Sequence, residues 1–137
     1  QELRKVPALG IACEKIGHIF VDRSNKAKAL ESLNKAKKTI SNGTSVLFFA
    51  EGTRSETGEL GEFKMGAFRM ALDLGLPILP VTIVGTGKIL QARSLVPFPG
   101  KATIVVHPPI DITAFETASI RELMDRTREV IASGMSQ

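Results

Sequence analysis

Four short apolar runs punctuate the chain, and the stretches between them carry apolar residues at helical spacing. Ile19-Phe20-Val21, Val46-Leu47-Phe48-Phe49, Ile78 to Val84 and Ala102 to Val106 are apolar almost throughout, as strands buried on both faces are. Pro7 to Lys15 predicts a short helix, with Pro suited to a first helical position and Gly17 to a stop just past the end. Ser24 or Asn25 caps a longer helix ending at Asn42 and Gly43, with Ala29, Leu33, Ala36 and Ile40 on one face. A polar, glycine-containing loop from Glu51 to Glu62 leads into a helix around Met65 to Leu74, stopped by Gly75 and Pro77. Near the C-terminal end, Ser119 and Glu122 have capping-box spacing, and Ile120, Leu123, Met124, Thr127, Val130 and Ile131 follow as one stripe of helix surface. Apolar strands separated by helices predict an α/β fold, a mainly parallel sheet flanked by helices on both faces. With no internal repeat and no linker, residues 1–137 read as a single domain.

The helix around Met65 to Leu74 is two-sided. Phe63, Ala67, Met70 and Leu74 share one side, while Met65, Phe68 and Leu72 lie on the other. Such a helix needs two apolar neighbours. It is either sandwiched inside the fold or in contact with an acyl chain or a bilayer.

Composition narrows the class. A chain of 137 residues with 43% hydrophobic and 23% charged residues is neither a disordered tail nor a low-complexity linker. A lone Cys13 excludes an intrachain disulfide framework and a Cys-only zinc cluster, fits a reducing compartment, and reads as a small core residue rather than a nucleophile. No apolar run approaches the ~18 residues of a membrane-spanning helix, and the N-terminal stretch lacks a signal-peptide core. The net charge of +4 is concentrated in residues 1–40, where nine Lys or Arg face four acids. A basic end suits anionic membrane surfaces, phosphorylated ligands or nucleic acid. With no Trp and no Tyr the stacking platforms of single-strand binders are thin, so no nucleic-acid partner is expected. Solvated lysines on helix faces account for most of the charge.

Two apolar runs end abruptly in charge. Phe48-Phe49-Ala50 runs into Glu51-Gly52-Thr53-Arg54-Ser55, and ligand sites in open α/β sheets lie off the carboxyl ends of strands. Arg54 offers a planar fork suited to phosphate or carboxylate, Gly52 lets a ligand approach the backbone, and Thr53 and Ser55 add donors. The same residues are equally compatible with an Arg54–Glu51 surface pair in a glycine turn. Gly17-His18-Ile19-Phe20-Val21-Asp22-Arg23 is the second such segment. If Arg23 and Arg54 end neighbouring strands, both guanidiniums face one dianion with Lys64 as a third cation; otherwise Asp22 pairs locally with Arg23 or Lys26. Gly85-Thr86-Gly87-Lys88 resembles a nucleotide-binding P-loop, but Thr82 stands where the earlier Gly is required and Ile89 follows the Lys. The third Gly of a dinucleotide fingerprint is likewise absent, at Leu90.

Together the two charged segments resemble the glycerolphosphate acyltransferase family, in particular the 1-acylglycerol-3-phosphate acyltransferases that make phosphatidic acid. One hallmark block of that family reads like Gly17 to Arg23, and another, Phe-Pro-Glu-Gly-Thr-Arg-Ser, matches Phe49 to Ser55 at six of seven positions. The departure is Ala50 in place of Pro, which bears on strand-end rigidity more than on chemistry. Phe63 to Phe68 looks like the family's continuation, Leu79 to Ile83 like its final block, and Pro108-Pro109-Ile110 like a downstream strand ending. The resemblance covers roughly Glu2 to Ile131. It implies transfer of a fatty acyl group from a thioester, acyl-CoA or acyl-carrier protein, to the hydroxyl of a lysophospholipid acceptor at the cytoplasmic face of a membrane. By the same resemblance Arg23, Arg54 and Lys64 bind the acceptor phosphate, and Glu51, Gly52, Thr53 and Ser55 shape the acceptor site. Pro80, Val81 and Thr82 lie on the acyl-donor side, and no metal or redox cofactor is implied.

The family's base is a His in an H-x-x-x-x-D block, whose Asp orients the imidazole while the His takes the acceptor's proton. Only His18 and His107 occur here. His18 and Asp22 are one residue too close in sequence and, on a strand, about 13 Å apart at ~3.3 Å per residue, beyond hydrogen-bond reach. His107 reads as a strand-end structural residue. The catalytic His and Asp are therefore expected upstream of Gln1, so that this chain is the C-terminal portion of the domain and has little or no transferase activity alone. A different reading keeps the same arginines without chemistry, as a non-catalytic anion- or phospholipid-binding module.

Overall fold

The computed structural model describes residues 15, 40, 45–91, 94, 96–115 and 119–136. The chain divides into two compact units, residues 1–46 and 47–137. In the first, Lys15 is helical and exposed, and Ile40 is helical and buried, as its place on the expected apolar face requires. The rest of the two predicted helices there, the strand Ile19 to Val21, and with them Cys13, His18, Asp22 and Arg23, lie outside the described residues.

In the second unit, helix α1 runs over Met65–Leu74. It stops where the sequence predicts. Gly75 takes a left-handed φ of 64°, its N–H donating to Leu72 and that of Leu76 to Ala71, the paired bonds of a Schellman ending. Pro77 follows, and the chain turns into strand β1, Val81–Val84. A short helix α2, Thr86–Ile89, and a loop lead to strand β2, Thr103–Val106. The last helix, α3, spans Ile120–Ser133 and ends in a 3-10 turn over Gly134–Ser136.

The two strands pair antiparallel, Val81 opposite Val106 and Val84 opposite Thr103. The ribbon resumes at an isolated bridge between Ile78 and Ile110. From that bridge to the ladder one strand advances three residues, 78 to 81, and the other four, 110 to 106. The extra residue is a bulge at His107-Pro108-Pro109, where two prolines without N–H groups cost no ladder bonds. An antiparallel pair is compatible with a mixed sheet. The cover expected on both faces is seen on one: Thr82 is buried, but Ile104 and Val106 on the other face are more than 60% exposed.

Val46 to Phe49, expected as a buried strand, has no ladder partner among the described residues, and Leu47 and Phe49 are each 71% exposed. A fully apolar run is buried only when both of its faces are covered, and of this segment only Ala50, just beyond it, packs against the core cluster.

That cluster is Phe68 from α1, Ile112 from the segment after the bulge, and Ile120 and Leu123 from α3. Burying a side chain such as Leu123 stabilises by about 2 kcal/mol. Thr127 extends the buried stripe of α3, its hydroxyl satisfied by the Leu123 carbonyl at 2.8 Å. On α1, Phe68 faces the cluster and Met70 is buried outside it, so the helix is covered on two sides. This favours the sandwiched reading and removes Phe68 as a bilayer contact; Leu72 packs against the cluster as well. The capping box does not form: Ser119 has near-helical backbone angles (φ −96°, ψ 17°) instead of the extended ones a cap needs, and its side chain makes no cap bond. No helix among the described residues is long and apolar enough to cross a membrane.

Candidate functional site

The polar loop after Phe49 is laced at three levels. At its neck the Lys64 amide donates to the Ala50 carbonyl at 2.7 Å, bringing the two limbs together as in an Ω-loop. Just above, Gly52 at φ 71° closes a tight turn onto the Phe49 carbonyl, and the Glu51 carboxylate reaches across to accept the Gly61 amide at 2.7 Å. At the tip, Ser55 Oγ accepts the Gly58 amide at 2.9 Å, with Gly58 at φ 84°. Phe63 then stacks on Phe68, ring centres 6.0 Å apart, and anchors the returning limb to the core.

This lacing sorts the residues that the sequence singles out. Glu51 and Gly52 are half-buried scaffold. The alternative reading, an Arg54–Glu51 surface pair, is not seen among the described residues; the Glu51 carboxylate accepts the Gly61 amide instead. Ser55 serves the turn at the tip. Thr53, Arg54 and Lys64 are exposed, and the Arg54 and Lys64 side chains have no hydrogen bond or ion pair among the described residues. Arg54 and Lys64 thus present a guanidinium and an ammonium to solvent, one within the loop and one at its neck. Arg23 lies outside the described residues.

The residues expected on the donor side sit elsewhere. Pro80 and Thr82 are fully buried in the ribbon and Val81 is half-buried. Thr82 donates to the Ile131 carbonyl at 2.7 Å and lies 2.8 Å from His107 Nε2, so both residues hold strand to helix. One contributor to the loop is invisible to local sequence reading. Arg128, on α3, donates to the carbonyls of Leu60, at 2.8 Å, and of Gly61, and lies over the Phe63 ring. No spacing rule links residues more than sixty positions apart.

The family model described as Acyltransferase matches residues 1–84, more than half of the chain. The chain belongs to the acyltransferase family. Among curated acyltransferases, it is 34% identical over 132 residues to the chloroplastic 1-acyl-sn-glycerol-3-phosphate acyltransferase of Brassica napus, covering 96% of this chain and 37% of that protein. The corresponding acyltransferase of Escherichia coli is 31% identical over 136 residues, covering 96% of this chain and 54% of the relative. The crystal structure of the 1-acyl-sn-glycerophosphate acyltransferase from Thermotoga maritima superposes with a TM-score of 0.81 at 31% identity, over 97% of this chain and 52% of that one. The α/β fold is thus that of an acyltransferase, of which this chain spans about half or less of the length of these relatives.

Proposed function

We propose that this chain supplies the acceptor-headgroup part of a 1-acylglycerol-3-phosphate acyltransferase. The observation that carries the reading is the Arg54 guanidinium, unpartnered among the described residues on a loop that Glu51 and Ser55 hold in shape. A cation left without an internal partner on a laced loop is disposed toward an external anion. Lys64 at the neck adds a second positive charge, and Arg23 is the third phosphate ligand of this scheme.

The donor is an acyl thioester, of CoA or of a carrier protein. The acceptor hydroxyl oxygen attacks the thioester carbonyl carbon, the C–S bond breaks, and the proton passes through a histidine to the departing thiolate. In this scheme that histidine is the one of the family's H-x-x-x-x-D block; His107 Nε2 is committed to Thr82, and His18 lies outside the described residues. No metal or redox group takes part in the scheme, and the reaction takes place at the cytoplasmic leaflet where the acceptor resides. The 137-residue chain alone is expected to show little or no transferase activity.

The test is Arg54→Ala in a polypeptide that joins this chain to its histidine block. A lost charge-assisted contact of ~1.5–3 kcal/mol predicts at least a tenfold fall in kcat/KM for the acceptor, with the folded state unaffected. Unchanged acceptor kinetics overturn the reading; loss of lysophospholipid binding in a protein that never transfers an acyl group identifies a binding module instead.

A further inference from the structure

The loop that carries Arg54 is held from outside as well as from within, and among the described residues one of the outside holds is a side chain of α3. Arg128 projects from the exposed side of α3, and its fork meets two consecutive carbonyls, Leu60 at 2.8 Å and Gly61. Its guanidinium carbon is 5.9 Å from the centre of the Phe63 ring. The Gly61 residue is thus gripped twice, its carbonyl by Arg128 and its amide by Glu51 at 2.7 Å. A Cβ on Gly61 would stand 2.8 Å from the Glu51 carboxylate oxygen, so a larger residue there displaces the carboxylate from its bond. Glu51 in turn opens the segment Glu51-Gly52-Thr53-Arg54-Ser55.

We propose that Arg128 is a positioning residue for acceptor binding: through Gly61 and Glu51 it fixes the backbone from which Arg54 reaches the headgroup. This rests on the acceptor-site reading of Arg54. Two adjacent carbonyls call for two donors at fixed separation, which a planar guanidinium provides and a lysine ammonium, a point charge, does not. Arg126 supplies the control. It lies on the same helix, is exposed, and among the described residues pairs only with Glu129, at 3.6 Å, so Arg126→Gln makes the same charge change without touching the loop.

In the polypeptide with the histidine block, Arg128→Gln is expected to raise the KM for lysophosphatidate at least fivefold while the thioester KM stays within twofold of its starting value. Amide exchange at Gly58 and Gly61 should quicken at least fivefold with α3 unchanged, Arg128→Lys should recover part of both effects, and Arg126→Gln should produce neither. The proposal is overturned if Arg128→Gln and Arg126→Gln behave alike, or if exchange quickens without any change in acceptor KM. Should Arg128→Gln not fold, Arg128→Lys decides by the same two readouts. Failure of the underlying reading is separate: Arg54→Ala then leaves acceptor KM unchanged, whereas failure of the positioning role leaves the Arg54→Ala effect intact.

Discussion

The Thr82 hydroxyl lies 2.8 Å from His107 Nε2 and donates to the Ile131 carbonyl at 2.7 Å. A hydroxyl has one proton, and a carbonyl oxygen can only accept. The proton of Thr82 is therefore spent on Ile131, and His107 Nε2 must carry the hydrogen between the ring and Thr82. This assigns the tautomer by proton count and withdraws Nε2 from base chemistry. It also ties β1, the bulge after β2 and the end of α3 into one joint, with Gly134 so close that a Cβ there would stand 2.7 Å from the Thr82 oxygen.

Thr82→Val keeps the shape of this joint and removes both hydrogen bonds. The half-buried His107 imidazole N–H and the Ile131 carbonyl each lose a partner, which costs about 1–3 kcal/mol in all. Urea unfolding should show the midpoint falling for Thr82→Val and largely restored in Thr82→Ser. An unmoved midpoint would mean the hydroxyl contributes nothing.

Gly85 and Gly87, two residues apart in the segment that resembles a phosphate loop, should respond oppositely to alanine. Gly85 has φ 91°, and an added Cβ would lie 2.4 Å from the Lys101 carbonyl oxygen, a backbone atom unable to step aside. Left-handed strain and this clash together predict a loss of at least ~2 kcal/mol. Gly87, inside α2, has nothing within 4 Å of its would-be Cβ, so alanine there should be neutral or stabilising by up to ~1 kcal/mol. Thermal melting of the two variants separates a structural glycine from a tolerated one.

That contrast marks what could be read from the sequence. The bounds of α1 were legible because Gly75 and Pro77 act within a turn of the residues they stop. The stripe of α3 was legible because Ile120, Leu123 and Thr127 recur at helical spacing. Ser119 misled, since capping requires an extended backbone that spacing alone does not report. Within the loop, Arg54 stood out by chemistry, but the commitment of Glu51 to Gly61 and the reach of Arg128 depend on how distant segments meet, which no local pattern encodes. Leu47 and Phe49 show the converse limit: apolar sequence predicts burial only where a cover exists.

Glu51 and Gly61 should behave as one unit. Glu51→Ala removes the acceptor of the Gly61 amide, and Gly61→Ala pushes the carboxylate away, so either change breaks the same bond. Each should cost less than ~1.5 kcal/mol, because the loop is exposed and water replaces the lost partner. The double variant should cost scarcely more than the single ones, a coupling that a double-mutant cycle measures directly. Additive effects would show that the two residues contribute independently.

Asp111 gives the pH dependence a sign. Hydrogen bonds from the Thr113 amide, at 2.9 Å, and from its side chain hold the Asp111 carboxyl below its ordinary pKa. A carboxyl depressed in the folded state contributes stability above its unfolded value, near 3.9, and loses it as pH falls through the folded value. Because the group is fully exposed, solvent screening keeps the effect small. Asp111→Asn keeps an acceptor for the Thr113 amide and removes only the charge. The stability difference between the parent chain and this variant should therefore be flat from about pH 5 to 8 and shrink below about pH 4. Urea midpoints measured between pH 3 and 7 test this, and a difference that stays constant down to pH 3 would show that Thr113 does not discriminate the carboxylate from the acid.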